Sequence, residues 1–269
     1  MAAPLKAAQQ LRTARPLSIP SRSSTLSRRP RPAVTHLHAP GYALGRLGRP
    51  LRPAHRAAVL RVLCELGQLQ PRDARKPGAW IVGLRQRALI TLALDSGLRL
   101  SELCALELGQ VVEDLAADRI RIRSASFLVS SQAKGGEAGA GPFSLPRRAR
   151  RALGPYLRAV RDHRWISWHA SSPLFLGHRG RAGQPGHARL SPRAAQRDWQ
   201  LVQRRAQLPQ HYSFHTLRHD FVNRLRLAGA DAFDLCQAAR WRRLETAVTY
   251  VATHDAERRV LELAELASR

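Results

Sequence analysis

His215 and Arg218 stand three residues apart in the string His-Thr-Leu-Arg-His-Asp. On a helix that spacing puts both side chains on one face. A guanidinium fork matches two phosphate oxygens, and an imidazole beside it can take or give a proton. Arg99, in Ser-Gly-Leu-Arg-Leu-Ser-Glu-Leu, falls at a helix-to-helix turn where Gly97 can adopt a special backbone angle. Glu102 is near enough in sequence to hold that arginine inward. Tyr250 lies in Glu-Thr-Ala-Val-Thr-Tyr, nine residues beyond Trp241. A phenol with a pKa near 10 is a poor nucleophile unless cations stabilise its phenolate, and two arginines supply that setting. Taken singly, each fragment has a plainer reading: a surface His/Arg pair, a solvated loop arginine, and an aromatic on an apolar helix face.

These residues need elements to carry them. Val59, Val62, Leu63 and Leu66 recur at i, i+3, i+4 and i+7 and predict a helix. Residues 81–94 predict a second, stopped at Gly97, and Ser101 is expected to cap a short helix starting at Glu102. Arg119 to Arg123 alternates like a strand, with further short strand candidates at 127–129 and 143–145 around a Gly-rich loop, Gly135 to Gly141. Residues 147–161 read as helix with a kink or restart at Gly154-Pro155. Ser191-Pro192 opens a helix to about Leu208. Helices at 215–227, 231–240, 245–253 and 257–267 follow. The fold class expected is mainly α with a small antiparallel β-sheet (α+β).

The charge balance points to a polyanion. There are 45 Lys and Arg against 19 Asp and Glu, a net charge of +26, and a sequence pI near 11.8. Such an excess repels itself in the compact state unless an anionic partner is present. Genomic bias toward Arg, Ala and Gly gives a similar composition. A 44% hydrophobic content excludes a wholly disordered chain. No apolar run approaches the roughly 18 residues of a membrane span, so no membrane partner is expected. Cys64, Cys104 and Cys236 lack metal-ligand spacing, and no Walker loop is present. Neither metal nor other cofactor is expected. Residues 1–49 hold nine basic and no acidic residues among many Ser and Pro, and read as a basic, disordered tail. An organellar transit peptide or a misassigned start codon has the same composition, and the three readings stay open. Residues 50–269 form the second expected unit.

Gly-Leu-Arg-x-Ser-Glu-Leu, then His-x-Leu-Arg-His, then Trp followed nine residues later by Tyr resembles the ordered signature of tyrosine recombinases of the phage-integrase family. Tyr250 also stands 32 residues after Arg218, a spacing that family shares. The resemblance covers about Arg52 to Ala267 and implies that residues 50–269 are a recombinase catalytic domain. It implies that Arg99 and Arg218 clamp a scissile phosphate, that His215 handles a proton, and that the Trp241 ring N–H contacts the phosphate. Tyr250 would be the nucleophile and Glu102 a structural support. The family's general acid is a β-hairpin lysine. Only three lysines occur, Lys6, Lys76 and Lys134, and Lys134 falls in the expected hairpin. Lysine can release a proton when its pKa is depressed, whereas arginine cannot.

The implied activity is site-specific cutting and rejoining of double-stranded DNA through a 3′-phosphotyrosyl link, without metal or ATP. A homo-tetramer on paired sites in the bacterial cytoplasm is implied with it. A type IB topoisomerase-like nicking-closing enzyme and a non-catalytic DNA-binding remnant are the alternatives. Two departures from the family pattern stand out. Residues 1–49 read as too polar and Pro-rich to form the separate helical DNA-binding domain that most relatives carry there, and Ala239-Arg240-Trp241 replaces the usual Leu-Gly-His.

Overall fold

The structure, a computed structural model, describes residues 50–70, 78–127, 142–164, 166–177, 188–241 and 243–252. Its contacts divide the chain into Met1–His38 and Ala39–Arg269. The first unit lies outside the described residues, and the second is described here.

Eleven elements are described: α1 Pro53–Gln68, α2 Ala79–Ser96, α3 Leu100–Ala105, α4 Leu108–Val111, β1 Ala125–Phe127, β2 Pro142–Ser144, α5 Arg147–Asp162, α6 Pro192–Arg205, α7 His215–Leu227, α8 Ala232–Ala239 and α9 Leu244–Ala252. The architecture is mainly helical. α2 is its axis. From Leu84 to Ser96 only Arg87 on this helix is not buried, the pattern of a helix enclosed on every side. α1, α3, α5, α6 and α7 all pack on it. α1 buries the predicted stripe Val59, Val62, Leu63 and Leu66.

Three polar ties, centred on Asp198, Asp95 and Asp220, fix the helices around α2. Arg85, buried, grips Asp198 of α6 with Nε and Nη2 at 2.8–3.1 Å and donates Nη1 to the Leu176 carbonyl at 2.8 Å. Planar two-point pairing of this kind fixes orientation as well as distance. At the other end of α2, Asp95 accepts from Arg148 of α5. Asp220 of α7 accepts from Arg56 of α1 at 3.1 Å and from Arg224 at 2.9 Å.

The structure corrects several element expectations. α5 runs continuously through Pro155, which overturns the restart expected there as the alternative to a kink. A proline inside a helix costs about 3 kcal/mol. Here the buried face Ala149, Ala152, Leu153, Tyr156, Leu157 and Val160 continues past it against α2 and holds the helix together. Arg99, not Ser101, is the N-cap of α3, which begins at Leu100. The alternating stretch 119–123 makes one bridge, Ile122 to Val112, and no strand. β1 and β2 pair antiparallel with Ser126 opposite Phe143. Leu128, Val129, the Gly-rich loop and the helix expected at 257–267 lie outside the described residues.

Candidate functional site

The turn between α2 and α3 is built to present Arg99. Gly97 ends α2 with φ +60, a left-handed conformation that glycine adopts without a Cβ penalty. A Cβ there would also meet the Phe221 ring at 2.4 Å. Ser96 closes the turn by donating to the Leu92 carbonyl and accepting from Leu98 N–H. Glu102, with 0% of its surface exposed, accepts from the Arg99 backbone N–H at 2.8 Å through Oε2 and from Arg99 Nη1 at 2.7 Å through Oε1. At the far end of α3, Arg189 donates to the carbonyls of Cys104, Ala105 and Leu106. The helix carrying Arg99 and Glu102 is therefore held at both ends.

α7 brings the second pair. The segment before it is pinned by Tyr212, whose carbonyl accepts from Trp199 Nε1 at 2.8 Å and Gln203 Nε2 at 3.0 Å. Its hydroxyl bonds His55 Nδ1 at 2.7 Å. One turn of helix then sets His215 and Arg218. Arg218 is buried, donating Nη1 to the Gly97 carbonyl at 2.6 Å and Nη2 to the Ala239 carbonyl. It thus joins α7 to the Arg99 turn and to the end of α8.

Electrostatics agree with this convergence. Burial first, then the nearby positive charges of Arg218 and Arg99, pushes the His215 imidazole below its usual range. The shift favours the neutral ring, the form able to accept a proton. Its neighbour His219, edge-on at 4.5 Å between ring centres, is pushed down to about 4 by burial, His215 and Arg218. Burial alone would raise the Glu102 carboxyl. Arg240, the Arg99 N–H and the Arg99 guanidinium outweigh it and hold the group ionised below the ordinary carboxylate range.

Arg240 is the residue that motif reading missed as a site group. It caps α8 with φ 51 and ψ 48, and its buried guanidinium donates Nη2 to Glu102 Oε2 at 3.1 Å and to the Gly97 carbonyl at 3.4 Å. The only sequence signal was its presence where the family pattern has glycine. A non-glycine residue in this conformation costs roughly 1 kcal/mol, so the guanidinium contacts must compensate.

Trp241 follows directly. It is half-buried against the apolar cluster of Val222, Leu235, Ala239 and Ala247, its backbone N–H donating to the Cys236 carbonyl at 2.9 Å. Tyr250 lies in the last turn of α9, and its description extends to the backbone only. Lys134 lies outside the described residues. The structure thus brings Arg99, Glu102, His215 and Arg218 together, adds Arg240, and sets α8 and α9 beside α7. Two guanidiniums, those of Arg99 and Arg240, pair with one carboxylate, and Arg218 joins them through the Gly97 carbonyl, which leaves an excess of positive charge suited to an anion, with an imidazole at its edge. Among the described residues no three His, Cys, Asp or Glu side chains are grouped to hold a metal ion. No described helix is long and apolar enough to cross a membrane.

Comparison with known proteins bears on the same residues. The tyrosine recombinase XerC of Rhodospirillum centenum is 33% identical over 195 residues, covering 72% of this chain and 49% of its own. The tyrosine recombinase XerD of Mycobacterium tuberculosis (strain H37Rv) is 30% identical over 192 residues, covering 70% and 54%. The chain spans about half the length of the curated relatives it matches. Among solved structures, XerA recombinase superposes with a TM-score of 0.55 at 18% identity, covering 82% of this chain and 64% of that one. XerH site-specific recombinase, solved in a pre-cleavage complex with its difH substrate, gives 0.57 at 18%, covering 81% and 54%. Those structural likenesses establish the fold. The family model described as the phage integrase family matches residues 80–257, which include Arg99, Glu102, His215, Arg218, Trp241 and Tyr250, and the chain belongs to that family.

Proposed function

We propose that this chain is a site-specific recombinase or integrase that cuts and rejoins double-stranded DNA through a 3′-phosphotyrosyl intermediate. The observation that carries the reading is the convergence of Arg99, Arg218 and His215 on the Gly97 turn, with the helix of Tyr250 packed alongside. In this mechanism Arg99 and Arg218 hold the non-bridging oxygens of the scissile phosphate. As Tyr250 attacks phosphorus, the phosphorane gains charge that the guanidiniums stabilise. One preorganised donor to such a charge is worth on the order of 3 kcal/mol, so several are needed. Neutral His215 receives a proton, the Trp241 ring N–H supports the phosphate, and Lys134 protonates the departing 5′-oxygen. The phosphotyrosyl bond conserves the energy of the broken linkage, so an incoming 5′-hydroxyl reverses the step without ATP or metal.

Residues 50–269 constitute the catalytic domain in this reading, and 1–49 are a basic tail that adds to DNA attraction. A small antiparallel sheet that includes β1 and β2 completes the fold in this reading, and Lys134, which falls between them in sequence, is its general acid. Two rounds of exchange require a homo-tetramer on paired sites. A cytoplasmic, bacterial setting agrees with the organisms of the relatives.

Covalent capture tests this directly. Labelled duplexes tiling the DNA that flanks the gene, some pre-nicked to trap the intermediate, are mixed with protein and run under denaturing conditions. The expected result is an SDS-resistant adduct that Tyr250→Phe abolishes. An adduct that survives in the variant rules Tyr250 out as nucleophile. Plasmid relaxation without joined recombinants replaces strand exchange with nicking and closing.

A further inference from the structure

The stretch Ala239-Arg240-Trp241 links α8 to the segment entering α9. Its middle residue holds a left-handed backbone that glycine would adopt freely, and it places a guanidinium inside the protein. That guanidinium donates to the Ala238 carbonyl at 3.4 Å and shares two further acceptors with the clamp. Glu102 Oε1 accepts from Arg99 Nη1, while Oε2 accepts from Arg240 Nη2 and from the Arg99 N–H. The Gly97 carbonyl accepts from Arg218 Nη1 and from Arg240 Nη2. Arg99 keeps 26% of its side chain exposed, whereas only 5% of the Arg240 side chain is. One arginine can meet a ligand, and the other is closed in behind the carboxylate.

We propose that Arg240 is a positioning residue for the cleavage site. Through Glu102 it fixes the direction of Arg99, and through Gly97 and Glu102 it docks the α8–α9 segment, with Tyr250, onto the Arg99 turn. This rests on the cleavage reading given under Proposed function. Electrostatics give it a second effect. With Arg240 in place, the Glu102 charge is divided between two guanidiniums, and Arg99 retains more positive charge for the phosphate. Without it, Glu102 neutralises Arg99 more completely. Glycine at 240 would relieve the backbone and still lose both effects.

The test compares full-length wild type, Arg240→Gly and Arg240→Lys in single-turnover adduct formation on a pre-nicked duplex. The scissile group is either an ordinary phosphate or an uncharged methylphosphonate. Arg240→Gly is expected to slow the phosphate reaction on the order of 10- to 100-fold, the scale of lost outer-shell positioning, with duplex affinity within about twofold. Arg240→Lys, whose ammonium can reach Glu102, is expected to recover much of the rate. The methylphosphonate, with less charge to stabilise, is expected to shrink the glycine variant's deficit. A phosphate rate within about twofold of wild type overturns the proposal. So does an equal deficit on both substrates, the signature of general loosening. If wild type forms no adduct on any duplex, the cleavage reading fails. The positioning claim is then decided by nitrogen-15 spectra of the arginine side chains. Slowly exchanging Arg99 Nη protons that are lost in Arg240→Gly support it, and their persistence overturns it.

Discussion

The helices around α2 and the α8–α9 segment are held by different physics. Around α2, a single apolar cluster reaches from Leu51 to Leu217 and includes Leu89, Ile90, Leu92, Phe175 and Trp199. Among the described residues, the α8–α9 segment rests on a separate cluster in which Val222, Leu235, Ala239 and Ala247 are fully enclosed. Polar ties from Arg218 and Arg240 also hold the described part of this second region. Arg218 donates to the Ala239 carbonyl, and Arg240 reaches Glu102 and Gly97. Hydrophobic stabilisation scales with area removed from water, so the platform bearing Arg99 and His215 is the firmer body. The described part of the α8–α9 segment is joined to it by the contacts of Arg218 and Arg240 and by packing on α7.

The largest effect expected from this contrast comes from emptying one apolar position in each region. Leu89→Ala, in the middle of α2, should lower global stability by about 2–5 kcal/mol, read as a shifted denaturant midpoint. Leu235→Ala should cost about 2 kcal/mol or less, because a small cluster collapses more readily around a cavity. Its effect should appear as faster amide exchange in α8 and α9 while α2 stays protected. Equal loss of protection in α2 would mean that the two regions unfold as one unit, and the contrast would not stand.

The two regions were also unequally legible in the sequence. The stripe Val59, Val62, Leu63, Leu66 and the run ending at Gly97 declare helices through periodicity and a stop residue, and the structure has them there. The grouping of Arg99, His215 and Arg218 was readable because fixed local spacing on turns and helices places them. Two things were hidden. Pro155 gives a local signal to break α5, and only tertiary packing against α2 overrides it. Arg240 gives no local signal for burial, because its partners Gly97 and Glu102 lie far away in sequence. Tertiary contacts decide such residues, and no window of neighbouring residues contains them.

Gly97→Ala should have an intermediate effect, because Gly97 lies where the two regions meet. The left-handed backbone would cost an alanine about 1 kcal/mol. The new methyl would also press on Phe221, which packs with the small cluster. Turning that ring displaces the support of α8 and shifts the carbonyl that Arg218 and Arg240 share. A stability loss of about 2 kcal/mol is expected, with slower adduct formation than that loss explains. An alanine variant with an unchanged rate would show that the shared carbonyl does not set the site's geometry.

The smallest effect is a pH dependence, and it falls on α7, which contributes Leu217 to one cluster and Val222 to the other. His215 and His219 both have lowered folded-state values, His219 to about 4. The unfolded chain binds their protons near pH 6.5, so between there and about pH 4 it holds more protons than the folded protein. Stability must therefore rise with pH across that window and fall as the solution is acidified. Glu102 acts in the same direction, but its contribution begins to be lost only near the ordinary carboxylate value of 4.5, where the unfolded chain takes up the proton, and continues down to its lowered folded value. Between pH 6.5 and 5 the imidazoles dominate. Thermal midpoints at pH 7 and pH 5 should differ by a few degrees at most, because neither ring is fully enclosed and solvent screens the penalty. His219→Gln should reduce that difference. An identical pH slope in the variant would assign the acid sensitivity to groups away from α7 and leave the seam between the two regions indifferent to protonation.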